Sequence, residues 1–304
     1  MSKKVIISIV FGLFLCSFLG FSGAHAADAV GLAISPPLVE KNVKPGETYS
    51  GVIKVTNVTK QTLNVAVSKK YFTASGEGGE PSIQDVDNTA FSLNKWIDLA
   101  DEFTLNADET KSLSYTINVP KNAEAGGHYS VVLFTPSATG ASSSTNGSAV
   151  SAVSQIGCLF LVSVSGEINY GANLLEFAPD KKLYVNTTNL IDIATRFQNL
   201  STVHVKPQGS ITVKNIFGQI VATLPVNEKL GNVLPDSVRK FENEWQKKYG
   251  FGPYRASVNL TYGEGKILTG ALSFWIIPWK ETTGAIVLLA LMVWLLSKLQ
   301  WKRK

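Results

Sequence analysis

Residues 125–134 read AGGHYSVVLF: two glycines and a histidine, then a tyrosine and a run of β-forming side chains. They describe either a histidine site in a glycine cradle or the start of a strand. A second stretch, FGPYRASV at 251–258, repeats the frame of glycine, one residue, tyrosine and alternation, with Pro253 in the place of His128. Proline offers no acid–base or metal chemistry, so the frame and not the histidine is what recurs. A glycine turn leading to a tyrosine at a strand start suits a tyrosine corner, its hydroxyl reaching back to a backbone group and its ring packing into the edge of a β-sandwich. Tyr129 and Tyr254 are therefore expected to be structural, and His128 a solvated turn residue.

The repetition extends outward from these two points. VTNVT at 55–59 answers FQNLS at 197–201, placing Asn57 and Asn199 at equivalent turns where an asparagine side chain bonds the following backbone. LNADET (105–110) answers LPDSV (234–238), each opening an alternating strand. Alternation dominates from 27 to 275, as in SLSYTINVP (112–120), ITVKNIFGQIVATL (211–224) and RASVNLTY (255–262). Short strands at this spacing predict antiparallel sandwiches. The predicted fold is all-β: two tandem immunoglobulin-like β-sandwich domains, at 27–166 and 167–275, followed by one transmembrane α-helix. PSATGASSSTNGSA (136–149) reads as a polar hairpin loop within the first.

The ends carry targeting signals. Lys3 and Lys4, the apolar run Val5 to Phe21 and the small-x-small site Ala24-His25-Ala26 predict a signal peptide over 1–26, with Cys16 inside it. At the other end, TTGAIVLLALMVWLLS (282–297) is uncharged, and Trp275, Trp279 and Trp301 flank it. From Trp279 to Trp301 a helix covers roughly 33 Å, enough for a bilayer core. The expected layout is a juxtamembrane segment at 276–281, a membrane helix at 282–299 and a basic tail at 300–304. Lys298, Lys302, Arg303 and Lys304 place that tail in the cytoplasm, leaving the ectodomain outside a single-pass anchor in the cell membrane. The net charge of +5 belongs to these ends: without Lys3, Lys4 and the four tail cations, 22 basic residues face 23 acidic ones. The ectodomain is close to neutral, which removes the support for a nucleic-acid partner.

Candidate chemistry is sparse. The histidines beyond the signal peptide are His128 and His204, in different domains. No HExxH, paired-cysteine, GxSxG or Walker pattern occurs, so no enzyme, cofactor or established metal site is expected. EGGEPSIQDVD (77–87) offers Asp85 and Asp87 as a weak calcium alternative, against an ordinary acidic loop. Cys158 lies in an apolar run and reads as a buried thiol. Trp96 and Trp245 are candidate ligand-binding residues if exposed to stack on a sugar ring, and core or interface residues otherwise. Asn57, Asn146, Asn186, Asn199 and Asn259 each begin a glycosylation-type triplet, a pattern that arises by chance in an Asn- and Thr-rich chain.

Pro45-Gly46, Asn57, Asn118-Val119-Pro120 and Gly126-Gly127, within this layout of signal peptide, two sandwiches, one helix and basic tail, resemble the WxL-interacting protein family. The resemblance implies a first domain associated with peptidoglycan and a second with surface proteins or host matrix. The expected function is thus a membrane-anchored extracellular binding or adaptor protein of the bacterial cell envelope, presenting its domains to cell-wall polymer or surface-protein partners. A two-domain assembly chaperone of the pilus type, for surface subunits, is the alternative.

Overall fold

The computed structural model describes residues 31–86, 91–138, 155–185, 189–247 and 250–301. The predicted signal peptide, Asp87, Asn146, Asn186, most of the serine-rich loop and Lys302 to Lys304 lie outside the described residues.

The first sandwich packs two sheets. One orders β1 (Leu32–Ser35), β3 (Thr48–Asn57), β8 (Thr110–Asn118) and β6 (Ile97–Asp98). The other orders β2 (Leu38–Val43), β10 (Ile156–Val164), β9 (Gly126–Ala138), β4 (Leu63–Ser75) and β5 (Glu80–Gln84), with β7 (Glu102–Leu105) also on β4. The second repeats the plan. Its sheets are β11 (Ala172–Pro179), β13 (Asn189–Asn199), β16 (Val238–Lys247), and β12 (Leu183–Tyr184), β18 (Lys266–Ile276), β17 (Gly252–Tyr262), β14 (Gln208–Lys214), β15 (Ile220–Val226). In both, the first strand is split between the sheets, and its second half runs parallel to the last strand, β2 on β10 and β12 on β18. This is the immunoglobulin-like arrangement expected from the repeats.

Alternation sets the cores. Leu113, Tyr115 and Ile117 of β8 and Ala256, Val258 and Leu260 of β17 all point inward and are buried. Each fully buried large apolar side chain contributes roughly 1.5–3 kcal/mol. Cys158 belongs to the first core, and burial pushes its thiol up to about 12.

The opening stretch breaks alternation for a reason. On β9, Val132 and Phe134 face the sandwich core, while Tyr129, Val131 and Leu133 join Phe72 and Leu161 in a cluster on the opposite face. Leu234 of the second domain packs against that cluster. The strand is buried on both sides, and a strand buried on both sides reads as a continuous apolar run.

The two domains are thereby joined by more than the short segment between β10 and β11. Gly127 N donates to Thr202 O at 2.9 Å and Lys240 N to Glu77 O at 2.9 Å. Arg196 Nε donates to Glu77 Oε2 at 2.8 Å, and Lys206 and Asn232 both hold the Glu40 carboxylate. Glu77 sits on the β4–β5 hairpin turn, so the acidic loop of the first domain reaches across to the second.

Among the described residues one helix, α1 (Trp279–Trp301), follows β18, starting ahead of the predicted 282–299 span. Its stretch Trp279–Leu296 is long and apolar enough to cross a membrane, and none of it is buried against the sandwiches.

Candidate functional site

The sequence candidates land in several kinds of place. Asn57 is fully buried: its Nδ2 donates to Gln61 O (2.7 Å) and Asn106 O (2.8 Å), and its Oδ1 accepts from Thr59 N (2.9 Å) and Thr59 Oγ1 (2.7 Å). Asn199 repeats this, donating to Val203 O and Val233 O, both at 2.9 Å, and accepting from Ser201 N at 2.9 Å. Each asparagine ties its own turn to a distant loop, which is a structural role.

Trp245 is not a sugar platform. It is 7% exposed, between Tyr254 (ring centroids 5.8 Å apart) and Phe274 (6.2 Å), in the second core. Trp96 is half-buried with its ring on His128, centroids 4.3 Å apart. The ring contact that a sugar would use is already made by protein.

His128 is likewise not a solvated turn residue. It lies inside β9, 2% exposed, with Nε2 donating to Glu124 O at 3.0 Å. Burial holds its pKa below the ordinary histidine value.

Asp85 is exposed and pairs with Lys70, and Asp87 lies outside the described residues. Among the described residues no group of three His, Cys, Asp or Glu stands where it could hold a metal ion.

Tyr129 departs from the expected corner. Its hydroxyl does not turn back into its own sandwich; it accepts from His204 N at 2.9 Å and meets His204 Nδ1 at 3.2 Å, in the other domain. The reason is register: Tyr129 faces outward from its sheet, where the second domain packs. Tyr254 packs its ring inward, stacked on Phe274 at 5.7 Å.

His204 also forms part of the floor of a cleft of about 820 Å³ between the domains, lined with it by Glu40, Lys41 and Asn42 of β2, by Lys206, and by Tyr262 and Glu264. Sequence reasoning missed it because it is assembled from both domains. Only the polar residues interrupting apolar alternation, Glu40 after Val39 and His204 and Lys206 around Val205, marked its walls.

One wall is a strand edge. Leu159 N donates to Pro37 O and Ser165 N to Val43 O, both odd-numbered acceptors on the β2 side. Peptide groups alternate direction along a strand, so those of Leu38, Glu40 and Asn42 point the other way. No strand pairs with that edge of β2 among the described residues.

The floor is electrostatically fixed. Burial brings His204 down to about 4, with Glu40 opposing and Lys206 adding to the shift. Burial alone would raise the Glu40 carboxyl, yet the hydrogen bonds from Lys206 and Asn232 and the Lys206 charge hold it below its ordinary value. Between about pH 6.5 and 4 the unfolded chain binds a proton that folded His204 refuses, so stability falls as pH drops through that window. After solvent screening at the cleft wall the loss is on the order of 2 kcal/mol. Glu40 adds to it as pH falls further. Urea unfolding at pH 7 and pH 4.5 should show a lower midpoint at the acidic value, with the difference reduced in His204→Gln. An unchanged midpoint would contradict the neutral, packed imidazole.

No family model and no curated protein matches the chain. Solved structures that resemble it include the class 5 fimbriae chaperone CfaA (16% identity, TM-score 0.40, covering 82% of this chain and 100% of that one). The E. coli chaperone DraB is 10% identical, with TM-score 0.39 and coverage of 82% and 98%. The complex of the Salmonella enterica SafA pilin with the SafB chaperone gives 12%, 0.37, and coverage of 82% and 98%. Likeness at this level says nothing of what this chain binds.

Proposed function

We propose that this chain is a membrane-anchored protein of the cell envelope whose paired sandwiches hold an extended segment of a surface-protein partner in the cleft between them. It acts by binding and not by catalysis. The observation that carries the reading is the open edge of β2 on the cleft wall. Main-chain N–H and C=O groups repeated every second residue are complemented by another strand, and the side chains around them set specificity. A sugar polymer presents no such repeat, and both tryptophans that would have stacked on it are occupied. Helix α1 supplies the anchor, in keeping with the exported, single-pass layout and the resemblance to WxL-interacting proteins.

The test exploits the direction of one N–H. Asn42→Pro removes a donor that the sheet does not use, and proline is tolerated where an edge-strand N–H faces solvent. The full-length variant should unfold within about 1 kcal/mol of the parent yet retain the partner roughly tenfold less well, the effect of about 1.4 kcal/mol in lost pairing. Pull-down of host surface proteins and sedimentation with insoluble wall sacculi, run side by side, provide the readout. Retention by sacculi alone, indifferent to Asn42→Pro, would refute the proposal.

The second reading, an assembly chaperone for surface subunits, is favoured by the same open edge, since both would hold an extended segment. Subunits that are degraded when this chain is missing would select it. A partner that stays stable without this chain selects the adaptor.

A further inference from the structure

We propose that the helix-bearing end of the second sandwich rests on the bilayer surface, with the β14–β15 turn dipping its apolar tip into the headgroup region. This rests on reading α1 as the membrane anchor. Lys214, the last residue of β14, stands opposite Arg255 on β17, and Arg255 opposite Ser273 on β18. The chain enters the helix only a few residues beyond that row, so the turn and the helix project from the same end of the domain.

The turn is apolar where it is most exposed. Phe217 is 83% exposed, Ile216 61% and Ile220 63%, which is unusual for a solvated hairpin tip. Its shape is fixed: Asn215 Oδ1 accepts from Phe217 N and Gln219 N at 3.0 Å each, and Gly218 takes a φ of 77° that favours glycine. Phe251 and Trp275, also largely exposed, lie at the same end, one just before β17 and the other near the close of β18.

The tether leaves little freedom to lift this surface away. Trp275 N donates to Lys182 O at 2.9 Å, Ile277 N to Tyr184 O at 2.7 Å and Trp279 N to Val185 O at 3.4 Å, so the exit chain stays paired up to the first residue of α1. With Trp279 at the membrane interface, the rim around it must lie at headgroup depth. Exposed Lys182, Lys214 and Lys280 at this end favour anionic lipid, and aromatic and aliphatic tips beside cations are what interfacial contact selects.

A nitroxide spin label reports depth directly. Labels are placed singly at Phe217→Cys, at Trp294→Cys within α1, and at Val52→Cys on the first domain, in the full-length chain in nanodiscs of phosphatidylcholine and phosphatidylglycerol. Cys158, fully buried, stays unlabelled, and Cys16 is replaced by serine so that it takes no label. Collisions with oxygen and with a water-soluble nickel chelate are then compared. The expected result is a deep label at 294, an aqueous one at 52, and several-fold less chelate access at 217 than at 52. If 217 matches 52 while 294 is deep, the anchor stands and the docked rim is wrong. If 294 is also aqueous, the anchor reading falls and the inference falls with it.

Discussion

Asn199→Ala is expected to lower the unfolding free energy by about 3 to 5 kcal/mol, the first of two kinds of large effect. The side chain is fully buried and holds two carbonyls, Val203 O and Val233 O, together with the Ser201 N–H. Alanine leaves all three inside the protein without a partner, and each such group costs about 1–3 kcal/mol, less what an entering water recovers. The damage reaches beyond one turn, because Val233 O, one of the two carbonyls released, lies on the loop that leads into the strand beginning at Val238. The main-chain bond from Asp236 N to Asn199 O (3.0 Å) survives in alanine. Asn57→Ala should do the same to the first domain. Asn259→Ala provides the control: that side chain is exposed on β17, and its removal should cost less than about 0.5 kcal/mol. Urea unfolding of the three variants checks the ranking. A loss below about 1 kcal/mol at Asn199 would mean that the loops hold themselves without it.

Tyr129→Ala is the second, with an expected loss of about 3–5 kcal/mol, the range for removing a large buried ring. The ring is 2% exposed, edge-on to Phe72 at 6.0 Å and to His204 at 5.7 Å. Tyr129→Phe separates the two parts of this effect. It keeps the packing but takes the acceptor from His204 N, so it should cost about 1–3 kcal/mol. Because the hydroxyl belongs to one domain and its partner to the other, Tyr129→Ala should also loosen their relative placement. Distances measured between labels on the two domains should broaden in Tyr129→Ala and stay narrow in Tyr129→Phe. If both variants leave the distribution as narrow as in the parent, the polar contacts at Glu40 and Glu77 suffice to hold the pair.

Repetition made the fold legible. The asparagine turns, the alternating strands after 110 and 238 and the glycine–tyrosine frame recur because a sandwich imposes period-two burial and fixed turn chemistry on any chain that forms it. What sequence could not supply was the second face of a strand. The side chains of β9 face both the sandwich core and another domain, and a pattern that records only apolar or polar does not say which neighbour covers it. That is why His128 reads as a turn residue and is instead buried beside Trp96, and why Tyr129 was expected to bond within its own sandwich. The cleft was hidden for a related reason. Glu40 and Lys206 are 166 positions apart, and no local rule joins a carboxylate to an ammonium at that distance. EGGEPSIQDVD (77–87) reads as an ordinary acidic loop, and the chain does turn at Glu77 between β4 and β5, yet Glu77 ties the domains together.

The molecule is two sandwiches locked together across a polar-walled cleft, followed by a helix long and apolar enough to cross a membrane. The proposed role requires that the open edge of β2 receive an extended polypeptide. The most direct test places a photo-crosslinking residue at position 42 in the full-length protein, in the membranes of the cells that make it, with position 52 as the control. Polypeptide adducts are expected from 42 and none from 52, with the adducts confined to one segment of the partner. Adducts from 42 to wall glycan, or equal labelling from both positions, would contradict it.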